Sequence, residues 1–409
     1  MNNRYIYIVG KPSPGIGYIE SIHSLGYKAG ILLDSHVGIK NQGQFDRIEL
    51  VDFSKFDKEL SRLADLNLMA AGFVCTYENY IVSKAKIGQH FGVPTIGVES
   101  AKISTDKLLM RQALKEKDPT ITPQFKQVDS LDQALEFASQ HGYPLIIKPT
   151  NLVKSLLVLK CSNEQELIKN FDYAQSSIKN LYEKFNIYGR DPRIVIEGFI
   201  TGKACSIVAF VDESGVPHFC EGITDLTTAQ EIGVDDNYLY SRLLPTEIDE
   251  GVNKELFEVA KKGIEALSLR STPAHIELIY NGHDVKLIEI GARIGGYRPR
   301  MYKYSYGTNL IEQEVRLSIG EKTQLDSHFT AYCAVYELFP NKEGNFQGIE
   351  GINDTSAFTY YSVKAKPDQL VGPAKNGYKA AAIIIVVNDN PKKFKSICDS
   401  VDSLSVMVA

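Results

Sequence analysis

Two glutamates, Glu277 and Glu289, lie twelve residues apart, each inside a short apolar run: Ala274-His275-Ile276-Glu277-Leu278 and Leu287-Ile288-Glu289-Ile290. An ionised carboxylate on a buried strand is costly unless it is paired or bound to a metal. To act together the two must point to one face, which needs an odd number of residues in the connecting loop. A two-residue Asn281-Gly282 turn would set them on opposite faces, whereas a three-residue loop, Gly282-His283-Asp284, would set Glu277 across from Glu289. Adjacent carboxylates repel, and a divalent cation relieves the repulsion. Oxygen ligands, few of them from protein, suit Mg²⁺ held jointly with substrate phosphates, with Mn²⁺ as the alternative. Arg293, four residues beyond Glu289, is placed to clamp a phosphoryl oxygen, and Gly295-Gly296 lets backbone come close to a ligand. The competing reading is a salt-bridged sheet in which Arg293 neutralises a glutamate.

Three further segments carry candidate chemistry. Lys148 closes the run Tyr143-Pro144-Leu145-Ile146-Ile147; such a lysine either snorkels to solvent or reaches a phosphate. Lys107, in the first turn of an expected helix, offers the same choice. The run Ile194-Val195-Ile196-Glu197-Gly198-Phe199-Ile200 ends in a carboxylate and loosens at a glycine. It can set backbone groups against an adenine edge, or it is a plain edge strand with a carboxylate. In Gly296-Tyr297-Arg298-Pro299-Arg300-Met301-Tyr302 the arginines can hold a carboxylate and the tyrosines line a pocket. The bland alternative is a surface segment with cation–π pairs. Residues 224–244 are a candidate substrate loop, with Asp235 or Asp236 available to an ammonium group.

The elements that must position these groups follow from periodicity. Residues 5–9, 29–33, 72–76 and 93–97 read as strands alternating with helices, which implies a parallel sheet. The glycines at 10, 15 and 17 form the first strand-to-helix loop, either as chain geometry or as part of a substrate pocket; they do not make the GxGxxG fingerprint. Residues 104–116 read as a helix. Strands are expected at 144–148, 156–160, 193–199, 275–280 and 285–290, a hairpin over 205–221, and helices at 164–179 and 249–267. From about residue 328 the pattern turns to strands at 330–338, 359–363 and 380–387, then a helix at 391–401.

Composition bounds the rest. The chain has 409 residues, 44% hydrophobic and 23% charged, with a formal net charge of -5. That is room for two or three domains with sizeable cores, and it argues against a general polyanion binder such as a nucleic-acid protein. The apolar run at 5–9 is short for a signal peptide, and no run reaches the ~18 apolar residues of a membrane span. The six cysteines are widely spaced with no CxxC pair, as expected of buried thiols in a reducing cytoplasm.

Taken together and in this order, the motifs resemble the ATP-grasp superfamily, most closely its L-amino acid (dipeptide) ligase branch, whose ending reads much like residues 275–296. The resemblance covers about residues 100–409 by motif and 1–100 by pattern alone. It implies an α/β (α+β) ATP-grasp fold. The expected parts are an N-terminal Rossmann-like domain (1–100), a linker helix and lid (101–205), a metal-bearing subdomain (206–327) and a strand-rich C-terminal subdomain (328–409). It further implies that Lys107 and Lys148 contact ATP phosphates, that Glu197, Gly198, Phe199 and Ile200 form the adenine hinge, and that Glu277 and Glu289 hold Mg²⁺. Arg293 would contact the transferred phosphoryl group; His275, Gly296, Arg298, Arg300 and Tyr302 would line the substrate site. The implied activity is an ADP-forming ligation of a small-molecule carboxylate to an amine through an acyl phosphate, in a homodimer by family habit. Three positions depart from the family. The lid loop, residues 150–156, has no glycine, so Lys154 and Ser155 would serve the phosphates. Gly291 stands where an Asn ligand is frequent, and Ala204 where a ribose-binding Glu is usual. Alternatives are another ATP-grasp ligase, a carboxylase (though no biotin-acceptor segment is apparent) or a non-catalytic nucleotide binder.

Overall fold

The computed structural model describes residues 3–12, 17–38, 42–152, 156–185, 187–236, 238–282, 284–325, 328–352 and 354–409. The glycine at 15, His283, Lys154 and Ser155 lie outside them.

The chain opens with β1 (Tyr5–Gly10), α1 (Tyr18–Ser24), β2 (Lys28–Asp34), β3 (Arg47–Val51), α2 (Phe56–Asp65), β4 (Ala70–Val74) and α3 (Ile81–His90). The strands pair in parallel in the order β3-β2-β1-β4. Residues 93–97 were expected to be a strand and are not. Pro94 has no N–H for a ladder, Val93 N–H caps α3 through Gly88 O at 3.1 Å, and the fourth strand is β3 instead. β3 escapes the sequence pattern because, as the sheet's edge, it is only partly buried. At Gly10 (φ 96°) a Cβ would stand 2.3 Å from the Tyr80 ring. The glycine is therefore required for close packing, and Tyr80 fills the space above it.

The helix expected over 104–116 is α5 (Lys107–Lys117), starting three residues later, and a separate helix, α4 (Val98–Ser104), precedes it. They break at Thr105–Asp106, where the Asp106 carboxylate caps α5 by accepting from Leu108 N–H and Leu109 N–H at 3.0 and 3.2 Å. Next come β5 (Phe125–Val128), α6 (Leu131–His141), β6 (Leu145–Pro149), β7 (Leu159–Cys161), α7 (Glu164–Lys184) and β8 (Ile194–Gly198). These strands form an antiparallel sheet, β5-β8-β6-β7, with its own core. In that core Leu167, Phe171, Ala174, Ile178 and Tyr182 of α7 recur at helical spacing. β8 is interior, which removes the edge-strand reading of Glu197.

The remaining elements are β9 (Lys203–Val211), β10 (Pro217–Phe219), β11 (Thr224–Thr228), β12 (Leu239–Leu244), α8 (Glu250–Ala266), β13 (Thr272–Tyr280), β14 (Val285–Gly291), α9 (Arg298–Tyr306) and α10 (Leu310–Ser318). Then follow β15 (Tyr332–Leu338), β16 (Gly344–Glu350), β17 (Tyr360–Val363), β18 (Leu370–Val371), β19 (Ala382–Asn388), α11 (Pro391–Asp402) and β20 (Ser405–Val408). One large sheet runs β14-β13-β9-β11-β12-β15-β19-β17, with β10 beside β9; β18-β16-β20 is a small separate sheet. Strands from both sides of residue 328 thus pair in one sheet, and the boundary expected there does not divide it. The candidate substrate loop over 224–244 is instead the hairpin of β11 and β12, inside that sheet. The oxygens of Asp236 accept from Ala374 N–H and Lys375 N–H at 2.7 and 2.8 Å, and Asp235 pairs with Lys375. Asp236 therefore anchors the loop at Ala374–Lys375, and Asp235 is paired with the ammonium of Lys375 rather than facing a substrate.

α10 belongs to two cores. Its Ile311 and Val315 pack among Ile6, Ile8 and Val74 of the parallel sheet. Its Glu314 accepts from Cys75 N–H at 3.3 Å and from the Tyr18 hydroxyl. All six cysteines are buried and free, and among the described residues no helix is long and apolar enough to cross a membrane.

Candidate active site

Glu277 on β13 stands directly opposite Glu289 on β14. The loop between them is not the three-residue one expected. Tyr280 pairs with Val285, leaving four residues, and Asp284 N–H donates to Asn281 Oδ1 at 2.9 Å. Four is even and would set Glu277 against Ile288. A β-bulge restores the parity: Leu278 pairs with Leu287 but Glu277 with Glu289, so Ile288 is the extra residue.

Around this pair the charges alternate. Lys107 Nζ lies 3.5 Å from Glu289 Oε2 and donates to Leu152 O at 2.9 Å. Burial pulls the Lys107 ammonium down, but Glu289 and Glu78 outweigh it and keep it charged. His275 Nε2 meets Glu277 Oε1 at 3.2 Å. Burial pushes the Glu277 carboxyl up; the hydrogen bond from His275 and the charges of Arg298 and Arg293 more than offset it and hold it at about 2. With Nε2 donating, Nδ1 of His275 is an acceptor, and it is buried with no hydrogen-bond partner among the described residues. Gly295 is obligatory beside it, since a Cβ there would come 2.8 Å from the imidazole. Arg293 reaches Glu78 Oε2 at 3.3 Å and Ile294 O at 3.1 Å.

Arg298, at the start of α9, is 2% exposed. Its guanidinium donates to Ser206 Oγ at 2.8 and 3.2 Å and touches Met301 Sδ at 3.6 Å. Among the described residues no carboxylate pairs with it. Burial, with Arg242 nearby, lowers it to about 10. The other residues of this segment divide. Gly296 is exposed with open space above its backbone. Arg300 is exposed and lies 5.0 Å over the Tyr360 ring, the cation–π arrangement of the bland alternative. Tyr302 is a correction: it is fully buried and its hydroxyl donates to Gly222 O at 3.1 Å, so it packs the core beneath α9 and does not face a substrate.

The second group sits on the antiparallel sheet. Lys148 Nζ lies 2.8 Å from Glu197 Oε2, and Arg111 grips the same carboxylate with Nε at 2.9 Å. Burial raises the Glu197 carboxyl, but Arg111 and Lys148 outweigh it and hold it at about 2; burial lowers Lys148 to about 8 against the pull of Glu197. The Glu197 side chain is thus committed to cations, and the hinge role can rest only on backbone. Gly198 N–H and Phe199 N–H are already taken by Gln124 O and Pro144 O at 2.9 and 3.2 Å, and Ile200 follows them. The lid loop starts pinned: Asn151 donates to Thr105 O at 2.7 Å and accepts from Thr150 Oγ1 at 2.8 Å, with Leu152 buried.

Two residues of the cluster escaped the sequence reading. Glu78 follows β4 and is buried beside Arg293; burial, then Glu289, raises its carboxyl. Its one signal is a carboxylate at the C-terminal end of a parallel strand, where such sheets place ligands. Arg111 is one helical turn beyond Lys107, on the same face of α5, a spacing that could have flagged it.

The pair Glu277/Glu289 fits a divalent cation: the two carboxylates are adjacent and face one way. Among the described residues no group of three or more Asp, Glu, His or Cys is arranged to hold a metal ion, and a site with few protein ligands suits Mg²⁺, which keeps several waters and binds with substrate phosphates.

Residues 141–299 match the profile of the ATP-grasp domain. The chain is 23% identical to the protein y4rH of Sinorhizobium fredii over 87% of its own length and 72% of that protein. It is 26% identical to the alanine–anticapsin ligase of Bacillus subtilis over 54% of its length, a match spanning 48% of that enzyme, so it covers about half of this relative. Its structure superposes on the L-amino acid ligase of Bacillus licheniformis with a TM-score of 0.79 over the whole of both chains at 17% identity, a likeness of fold.

Proposed function

We propose that this chain, which carries an ATP-grasp domain, is an ADP-forming carbon–nitrogen ligase that joins a carboxylate to an amine. The observation that carries the reading is the facing pair Glu277/Glu289 with Lys107 at 3.5 Å and Arg293 alongside. Lys107 and Lys148 bind the ATP phosphates, and the backbone after Glu197 binds the adenine edge. Glu277 and Glu289 hold Mg²⁺, or Mn²⁺ in its place, which when bound offsets charge on the β- and γ-phosphates. The substrate carboxylate attacks the γ-phosphorus in line; ADP leaves and an acyl phosphate forms. Arg293 holds the transferred phosphoryl group. The amine then attacks the acyl carbon, the C–O bond to phosphate breaks, and the amine proton is lost as the amide forms. Arg298, a buried cation with no carboxylate partner among the described residues, orients the substrate carboxylate. Amino-acid-like substrates are the expectation, by analogy with the L-amino acid ligase fold.

The test is ADP release from ATP and Mg²⁺ with amino acids, singly and in pairs, beside Glu289→Gln. Release that depends on particular pairs and vanishes in the variant supports the reading. Tight nucleotide binding with no stimulated turnover across the panel would point to a non-catalytic binder.

A further inference from the structure

The Arg111 guanidinium is 1% exposed and binds two places at once. Nε and Nη2 donate to the two oxygens of Glu197 at 2.9 and 3.2 Å. Nη1 donates to Leu287 O at 3.1 Å and Nη2 to Ile288 O at 2.9 Å. Glu197 lies at the end of β8, where the hinge begins. Leu287 and Ile288 are the residues of the bulge that turns Glu289 toward Glu277.

The extra residue of a bulge drops out of the ladder, and a buried carbonyl without a donor is costly. Arg111 supplies the donors, and its planar fork serves both strands together, which a lysine's single ammonium would not. If the bulge were lost, the four-residue loop would pair Glu277 with Ile288 and turn Glu289 to the far face of the sheet.

We propose that Arg111 is a positioning residue that couples the nucleotide hinge to the metal carboxylates: it holds the Ile288 bulge, and so the facing of Glu289, in register with Glu197. The inference rests on the reading of this site as a nucleotide and metal site.

The experiment is calorimetric titration of the full chain with ADP, in chelator and across a Mg²⁺ series, for wild type and Arg111→Lys, with a thermal melt of each. The variant is expected to bind metal-free ADP as wild type does, while the Mg²⁺ it needs to tighten ADP rises about 10–100-fold, the usual effect of losing a group that orients a metal ligand. A folded variant with an unchanged Mg²⁺ requirement overturns the proposal, as does one that loses metal-free ADP binding to the same degree. If Arg111→Lys does not fold, Glu197→Gln reads the coupling from its other end: a raised Mg²⁺ requirement supports it and an unchanged one overturns it. Wild-type ADP binding that ignores Mg²⁺ would overturn the site reading and this inference together.

Discussion

The Lys148 ammonium lies 2.8 Å from the Glu197 carboxylate, and neither side chain is more than 7% exposed. Arg111 holds the other side of that carboxylate. Removing one member of such a buried group leaves the others uncompensated, so Glu197→Ala is expected to cost about 3–5 kcal/mol, read from urea denaturation.

The same contact sets an acid limit. The Glu197 carboxyl is held at about 2, below its ordinary 4.5, because its folded-state cations outweigh burial. Its contribution is complete above pH 4.5 and is lost as the pH falls toward 2. The stability gap between wild type and Glu197→Gln should therefore shrink across that window. A gap that stays constant with pH would count against the ion-paired state.

Lys148 gives the opposite limit in binding. Burial brings it to about 8, and only the charged form attracts a phosphate. Affinity for ADP should fall as the pH rises through about 8, and Lys148→Met should weaken binding and remove that dependence. The expected loss is about tenfold or more, from a charge-assisted hydrogen bond of ~1.5–3 kcal/mol.

Glu277→Gln and Glu289→Gln should each abolish most ADP release. Charge stabilisation by a held cation is worth several kcal/mol, which at ~1.4 kcal/mol per decade is about a hundredfold or more. Metal-free ADP binding should survive in both. Full turnover in either variant would remove that carboxylate from the site.

Arg298→Met separates function from stability. The native side chain is a buried cation facing a hydroxyl and a thioether, so the apolar replacement is expected to leave stability unchanged or raise it by about 0.5–2 kcal/mol. KM for the carboxylate substrate should rise about tenfold or more with KM for ATP unmoved. A matched rise in both constants would place Arg298 elsewhere in the mechanism.

Much of this was legible in sequence because it rests on local pattern. The strands bearing Glu277, Glu289, Lys148 and Glu197 are short, largely apolar runs interrupted by one or two charged residues, and the structure places all four on strands where the runs indicate. Parity of the Glu277/Glu289 hairpin was anticipated in outcome but not in cause, because a bulge depends on what fills the space behind it, here an arginine 177 residues away. Tyr302 was misjudged because an apolar face only one helix long does not reveal which side meets the sheet. Glu78 and Arg111 are single residues whose partners lie more than 80 positions off, and no window along the chain contains both ends of such a contact. The hairpin of β11 and β12 was missed because Asp225, Thr227, Thr228 and Arg242 on it make its alternation look like a loop.

The passage of one sheet across residue 328 has a practical consequence for anyone building fragments or chimeras of this protein. A cut there would strip β15, β19 and β17 from the flank of β12 and leave its hydrogen-bonding groups bare, an open template for other chains. The segment beyond residue 328 cannot be exchanged as a cassette; a transplant must carry the whole sheet or stop before β9.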